Sequence, residues 1–250
     1  MSERRRLHPV LAASFVAGSA LAVMGAAIVT ACGSADLAAT RSVGARPAGM
    51  TVATEPSAYT AGQLRAALLP AVDRAQPAAP AEAGRYATLP DVQTSRQTMT
   101  GVTVTPARCA QATMTAFHAP AFAAAPAAVV TFLVGRDGVS EVLVSAPPRL
   151  AETALGGLLP AGCDRYTATV DGETFGYQAR EVPLAGLAKQ ARALNVRAAG
   201  YAGVNVWSVV YRGGGFVGAI TMVGPDVSEQ GVERLAIQAY ATADRVLSGS

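Results

Sequence analysis

Cys32, Cys109 and Cys163 are the only thiols in this chain of 250 residues, and His118 is the only histidine beyond the first ten. Two thiols can form a disulfide, hold a metal or react, but no C-x-x-C spacing supports the metal or reactive use. One histidine cannot build a two-histidine metal face, and the chain has no H-E-x-x-H, P-loop, EF-hand loop or G-x-S-x-G elbow. A Ser-His-Asp triad through His118 would need a positioned nucleophile, and no serine sits on such a pattern; next to Pro120 the histidine reads as a loop residue. Asp171 and Glu173 flank a hairpin turn, where Asp-Gly is wanted for positive φ rather than for proton transfer. Gly213-Gly214-Gly215 lacks G-x-G-x-x-G spacing and reads as a turn. No catalytic residue, metal site or cofactor is therefore assigned. Tyr201, Trp207, Tyr211 and Phe216 gather around that turn and either line a cleft or fill a core.

The context of Cys32 gives the first thiol a different role. Arg4, Arg5 and Arg6 precede an apolar and small-residue run from Val10 to Val29, the charged and apolar regions of an export signal. The run ends in Val29-Thr30-Ala31-Cys32, which resembles the lipobox of bacterial lipoproteins. That resemblance implies a diacylglyceryl group on the Cys32 sulfur, cleavage after Ala31 and palmitate-type acylation of the new N-terminus. Two or more acyl chains anchor a protein stably to a bilayer, whereas one holds it only marginally. Cleavage near Ala31 without lipid, or an uncut signal-anchor helix, would use the same residues. With Cys32 committed to lipid, Cys109 and Cys163 form an even pair in an oxidising compartment, where a disulfide is expected. Closing a loop of about 55 residues contributes at most roughly 4 kcal/mol in the chain-entropy picture.

Removal of residues 1–31 leaves 219 residues with 17 basic and 16 acidic side chains, a net charge near +1. That length suits one domain and a tether. A nucleic-acid surface would need basic residues gathered on one face, and nothing in the sequence gathers them. Residues 32–58, rich in Ala, Gly, Ser, Thr, Arg and Pro, read as a flexible tether. The domain is then 59–250.

Within it, Thr60 to Leu69 suits a short helix capped by Thr60 or Ser57 and stopped by Pro70. Arg74 to Pro90 reads as a long loop, and Met99 to Thr105 alternates like a strand. Val129–Val134 and Val139–Val144 flank Gly135-Arg136-Asp137-Gly138, a hairpin signal; Tyr166–Val170 and Thr174–Arg180 flank Asp171-Gly172, another. Arg149–Leu158 suits a helix, Val182–Gln190 a connecting turn, and Ala191–Ala198 a strand. Val204–Tyr211 and Phe216–Val223 are apolar on both faces and belong at the centre of a sheet. After Pro225, Asp226 and Glu229 make a capping-box-like start to a helix whose Val232, Leu235, Ala236, Ala239, Tyr240, Ala243, Val246 and Leu247 share one face. The fold class expected is α+β: a mainly antiparallel sheet of about six to eight strands with a C-terminal amphipathic helix packed on it.

The order of these elements resembles a family. Leu159-Pro160-Ala161-Gly162-Cys163, the Asp171-Gly172 hairpin, Glu181-Val182-Pro183-Leu184 with Gly186-Leu187, the strand Arg192–Arg197, the Trp207 hairpin and the closing helix are similar to actinobacterial exported sensor-type lipoproteins. Relatives of these include the extracellular sensor domain of mycobacterial receptor Ser/Thr kinases. The resemblance implies an α/β ligand-binding fold with a cleft over an antiparallel sheet; some members carry two disulfides, and this chain has cysteines for one. The expected function is a non-enzymatic, sensor-like binding domain, lipid-anchored on the extracytoplasmic face of the cell membrane, that captures a lipid-like or small ligand or an envelope protein. An envelope enzyme with an unrecognised site and a purely structural envelope protein are the alternatives.

Overall fold

A computed structural model describes residues 58–113, 117, 119–156, 159–187, 190–199 and 205–249. Cys32, the signal segment, nearly all of the proposed tether, His118 and Tyr201 lie outside the described residues.

The chain opens with α1, Ala61–Ala67, held by a reciprocal capping box in which the Thr60 hydroxyl accepts from Gln63 N–H and the Gln63 side chain accepts from Thr60 N–H. Next come β1 (Glu82–Arg85), a 3-10 turn, α2 (Pro90–Thr100) and β2 (Val102–Thr105). The segment expected to be one long loop thus contains a strand and the start of a helix, and the strand expected from Met99 begins only at Val102. Both were hidden because β1 lacks β-branched residues and α2 buries little besides Val92. The hairpin of β3 (Pro126–Val134) and β4 (Asp137–Ser145) turns on Gly135-Arg136, with Gly135 at φ 62°. Then follow α3 (Pro148–Leu155) and the hairpin β5 (Arg165–Val170) and β6 (Glu173–Val182). Asp171 and Gly172 have φ of 51° and 81°, the two positive values that a two-residue Asp-Gly turn requires. The chain closes with β7 (Ala191–Ala198), β8 (Asn205–Arg212), β9 (Phe216–Gly224) and the 20-residue α4 (Glu229–Ser248).

The nine strands form one antiparallel sheet in the order β1-β3-β4-β9-β8-β7-β6-β5-β2, one strand more than the upper figure expected. The doubly apolar β8 and β9 sit near its middle. The cap of α4 is Ser228, whose hydroxyl accepts from Gly231 N–H, rather than Asp226; Asp226 instead pairs with Arg136 at 3.0 Å. Val232, Leu235, Ala236, Ala239, Ala243 and Leu247 of α4 are buried, while Arg234 and Gln238 are exposed. With burial of each large apolar side chain worth about 1.5–3 kcal/mol, that stripe fixes α4 on the sheet.

One core lies under α1 and α4 and takes side chains from β3, β4, β7, β8 and β9, among them Phe132, Leu143, Trp207, Val209 and Ile220. The opposite face carries two clusters. One joins α3, Tyr86, Leu89, Phe117 and Phe122 to Val129, Val144, Val210 and Val217. The other joins Cys109 and Cys163 to Val104, Tyr166, Ala168, Ala179, Leu194 and Val196, at the β5–β2 end of the sheet.

Candidate functional site

Three of the four aromatic residues that the sequence grouped are buried rather than on an open surface. Trp207, Tyr211 and Phe216 are 1%, 0% and 1% exposed, packed in the core under α1 and α4. The reason is register: Tyr211 stands opposite Gly218 on β9, where any Cβ would collide with the phenol ring, so the ring lies flat across the neighbouring strand. Tyr211 meets Phe216 and Tyr240 edge-on, with centroids 6.5 and 6.1 Å apart. These three are core residues, and the fourth of the group, Tyr201, lies outside the described residues.

Inside the same core lies a carboxyl that the sequence did not single out. Glu141 of β4 is fully buried, and it accepts from Leu69 N–H at 2.7 Å and from the Tyr211 hydroxyl at 3.1 Å. Burial pushes its pKa up to about 7 against the opposing effect of these two donors. Burial first, then the Glu141 charge, raises the Tyr211 phenol well above its ordinary range. The two acceptor bonds tie the end of α1 to the middle of the sheet.

Cys109 and Cys163 are joined, with Cα atoms 5.4 Å apart and both side chains fully buried. The bond fastens the loop after β2 to the approach of β5. Tyr166 and Tyr177 stack beside it, centroids 5.3 Å apart, and burial pushes the Tyr177 phenol up to about 12.

An open site exists on the face away from α4, where the two clusters part. A recess of about 650 Å³ lies among the end of α3, the end of β6 and the adjoining ends of β7 and β8. Leu155 and the exposed Pro183 give it an apolar edge and Glu152, Glu181, Arg192 and Arg212 its charges, while Val182, Leu184, Ala191 and Ala193, which also border it, are buried in the core under α4. Arg192 pairs with Glu181 at 3.2 Å, and Arg212 with Glu152 at 3.3 Å. Glu181 also accepts from Leu159 N–H at 3.1 Å, which anchors it, whereas Glu152 is 67% exposed and among the described residues pairs with Arg212 alone. Alternation along β7 and β8 places Arg192 and Arg212 on the non-core side, as any solvent-facing arginine would be placed. The sequence signal for the recess is therefore only that two arginines and a glutamate share one face at the same end of three adjacent strands.

Among the described residues no group of histidine, cysteine or carboxylate side chains could hold a metal ion, and no helix is long and apolar enough to cross a membrane. No family model and no curated protein matches the chain. In fold it is similar to the extracellular domain of PknH from Mycobacterium tuberculosis, at 12% identity and a TM-score of 0.50, with 77% of this chain and 98% of that one covered. An uncharacterised protein from Mycobacterium smegmatis gives a TM-score of 0.34 at 13% identity, covering 58% of this chain and 77% of that one. The likeness to that extracellular domain is one of fold alone.

Proposed function

We infer that the chain is an exported lipoprotein whose α+β domain binds a small or lipid-like ligand, or an envelope partner, without transforming it. Residues 1–31 are the signal peptide, Cys32 carries the lipid on the extracytoplasmic face of the cell membrane, and residues 32–58 tether the domain that follows. The observation that carries the binding role is the recess between α3 and the β6–β8 strand ends. Its size falls within the roughly 300–1,000 Å³ of small-molecule sites, and it combines an apolar edge at Leu155 and Pro183 with a few convergent polar groups. Fold similarity to the extracellular domain of PknH supports the extracytoplasmic placement. The four charged side chains of the recess are two carboxylates and two guanidiniums already paired with each other, an arrangement that favours binding over catalysis.

Native mass spectrometry of the protein extracted from membranes tests this function. A bound mass beyond the acyl modification is expected, and a bare acylated polypeptide in every preparation would overturn it. The anchor is tested separately with a clickable fatty acid, which should label the wild type and not Cys32→Ala; label on the variant would contradict the assignment of Cys32.

A further inference from the structure

We propose that the recess takes a small oxyanion, a carboxylate or phosphate monoester with a short apolar body, gripped by Arg192 and Arg212; this rests on the binding role inferred above. Arg192 stands opposite Val210 on β8, so Arg212, two residues further on, shares its face as the diagonal neighbour. Such neighbours lie about 7–8 Å apart, within reach of long side chains converging on one group. Each guanidinium spends one nitrogen, Nη1, on a protein carboxylate. A guanidinium has five N–H donors in a planar fork that matches a carboxylate or phosphate edge, so most of the donors of both arginines remain for a ligand.

The protein carboxylates show how the exchange would run. Glu181 is pinned by Leu159 N–H and stays, steadying Arg192. Glu152 is mostly exposed and among the described residues bound to Arg212 alone, so its carboxylate occupies the place of the ligand oxyanion. An exposed pair of that kind contributes only about 0–1 kcal/mol, so a ligand can displace it at little cost. The remainder of the recess selects the body of the ligand: Leu155 and Pro183 suit a short alkyl group, and among the described residues no aromatic ring lines it on which a sugar could stack.

The test is calorimetric titration of the membrane-extracted protein with hexyl phosphate, hexanoate, inorganic phosphate, hexanol and hexyltrimethylammonium. Hexyl phosphate or hexanoate should bind, the tighter of the two identifying the natural oxyanion, and inorganic phosphate should bind more weakly than hexyl phosphate. Arg192→Gln and Arg212→Gln should each weaken binding by about tenfold or more. Glu152→Gln should tighten it severalfold by removing the competing carboxylate, a readout that simple loss of structure would not produce. Binding of hexanol or hexyltrimethylammonium equal to that of the oxyanions, or weaker oxyanion binding by Glu152→Gln, would overturn the proposal. No heat with any oxyanion, while native mass spectrometry still finds a bound mass, would overturn it and leave the binding role standing; a bare protein in both experiments would overturn the two together.

Discussion

Beneath α1 and α4 the sheet is covered by one continuous core, whereas its opposite face holds two separate clusters and a recess of about 650 Å³ where they part. Both faces use the same strands, so the difference lies in what the alternate residues are. On β7, Ala191, Ala193 and Asn195 turn toward the closed face and are buried, while Arg192 turns to the open one and is exposed. On β8, Trp207, Val209 and Tyr211 fill the closed core while Arg212 projects beside α3. A continuous apolar layer fixes the fold and leaves no room for a ligand; an interrupted layer gives up some burial and leaves a site.

The largest effect that would sharpen this contrast is Trp207→Ala. The side chain is 1% exposed in the closed core, so its removal should cost about 3–5 kcal/mol in denaturant unfolding. A shift below about 1 kcal/mol would mean that the closed face is not packed as described. The disulfide supports the open face at its β5–β2 end, and Cys109→Ala with Cys163→Ala should cost about 2–5 kcal/mol. Unchanged unfolding of the double variant would show that this cluster holds without its covalent tie.

Glu141 supplies a pH signature of the closed face. Raised from 4.5 to about 7, its carboxyl binds its proton more tightly in the fold than in the unfolded chain. The folded state then holds more protons between those values, so the contribution of Glu141 to stability falls as pH rises from about 4.5 to about 7 and stays low above. The span corresponds to a loss on the order of 3 kcal/mol. Glu141→Gln should flatten that slope in unfolding curves measured from pH 4.5 to 8; an identical slope would place the dependence elsewhere. The smallest effect belongs to the recess. Arg192→Gln and Arg212→Gln remove half-exposed ion pairs and should change stability by less than about 1 kcal/mol. A loss near that of Trp207→Ala would make the arginines structural.

What the sequence revealed divides along the same line. The stripe on α4, the doubly apolar β8 and β9, the Asp171-Gly172 turn and the β3–β4 hairpin are local periodic signals, and periodicity reports burial directly. The nine-strand order, β1 and α2 depend on partners distant in the chain, and α2 offers only Val92 to find it by. The aromatic cluster was visible as a group, but whether it lined a cleft depended on Gly218 opposite Tyr211 and on the helices above. Glu141 looked like one carboxylate in a β-branched run because its donors come from Leu69 and Tyr211, each about 70 residues away. The recess was least legible, since alternation tells which face Arg192 and Arg212 occupy but not whether α3 stops short of covering them.

Hydrogen exchange on the membrane-extracted protein, with and without hexyl phosphate, tests most directly whether the open face is where the protein binds. Peptides spanning the end of α3 and the adjoining ends of β6, β7 and β8 should gain protection, and those of α1, α4 and β9 should exchange as before. Protection confined to α4 and the strands beneath it, or spread evenly over the domain, would contradict the division of the sheet into a closed structural face and an open binding one.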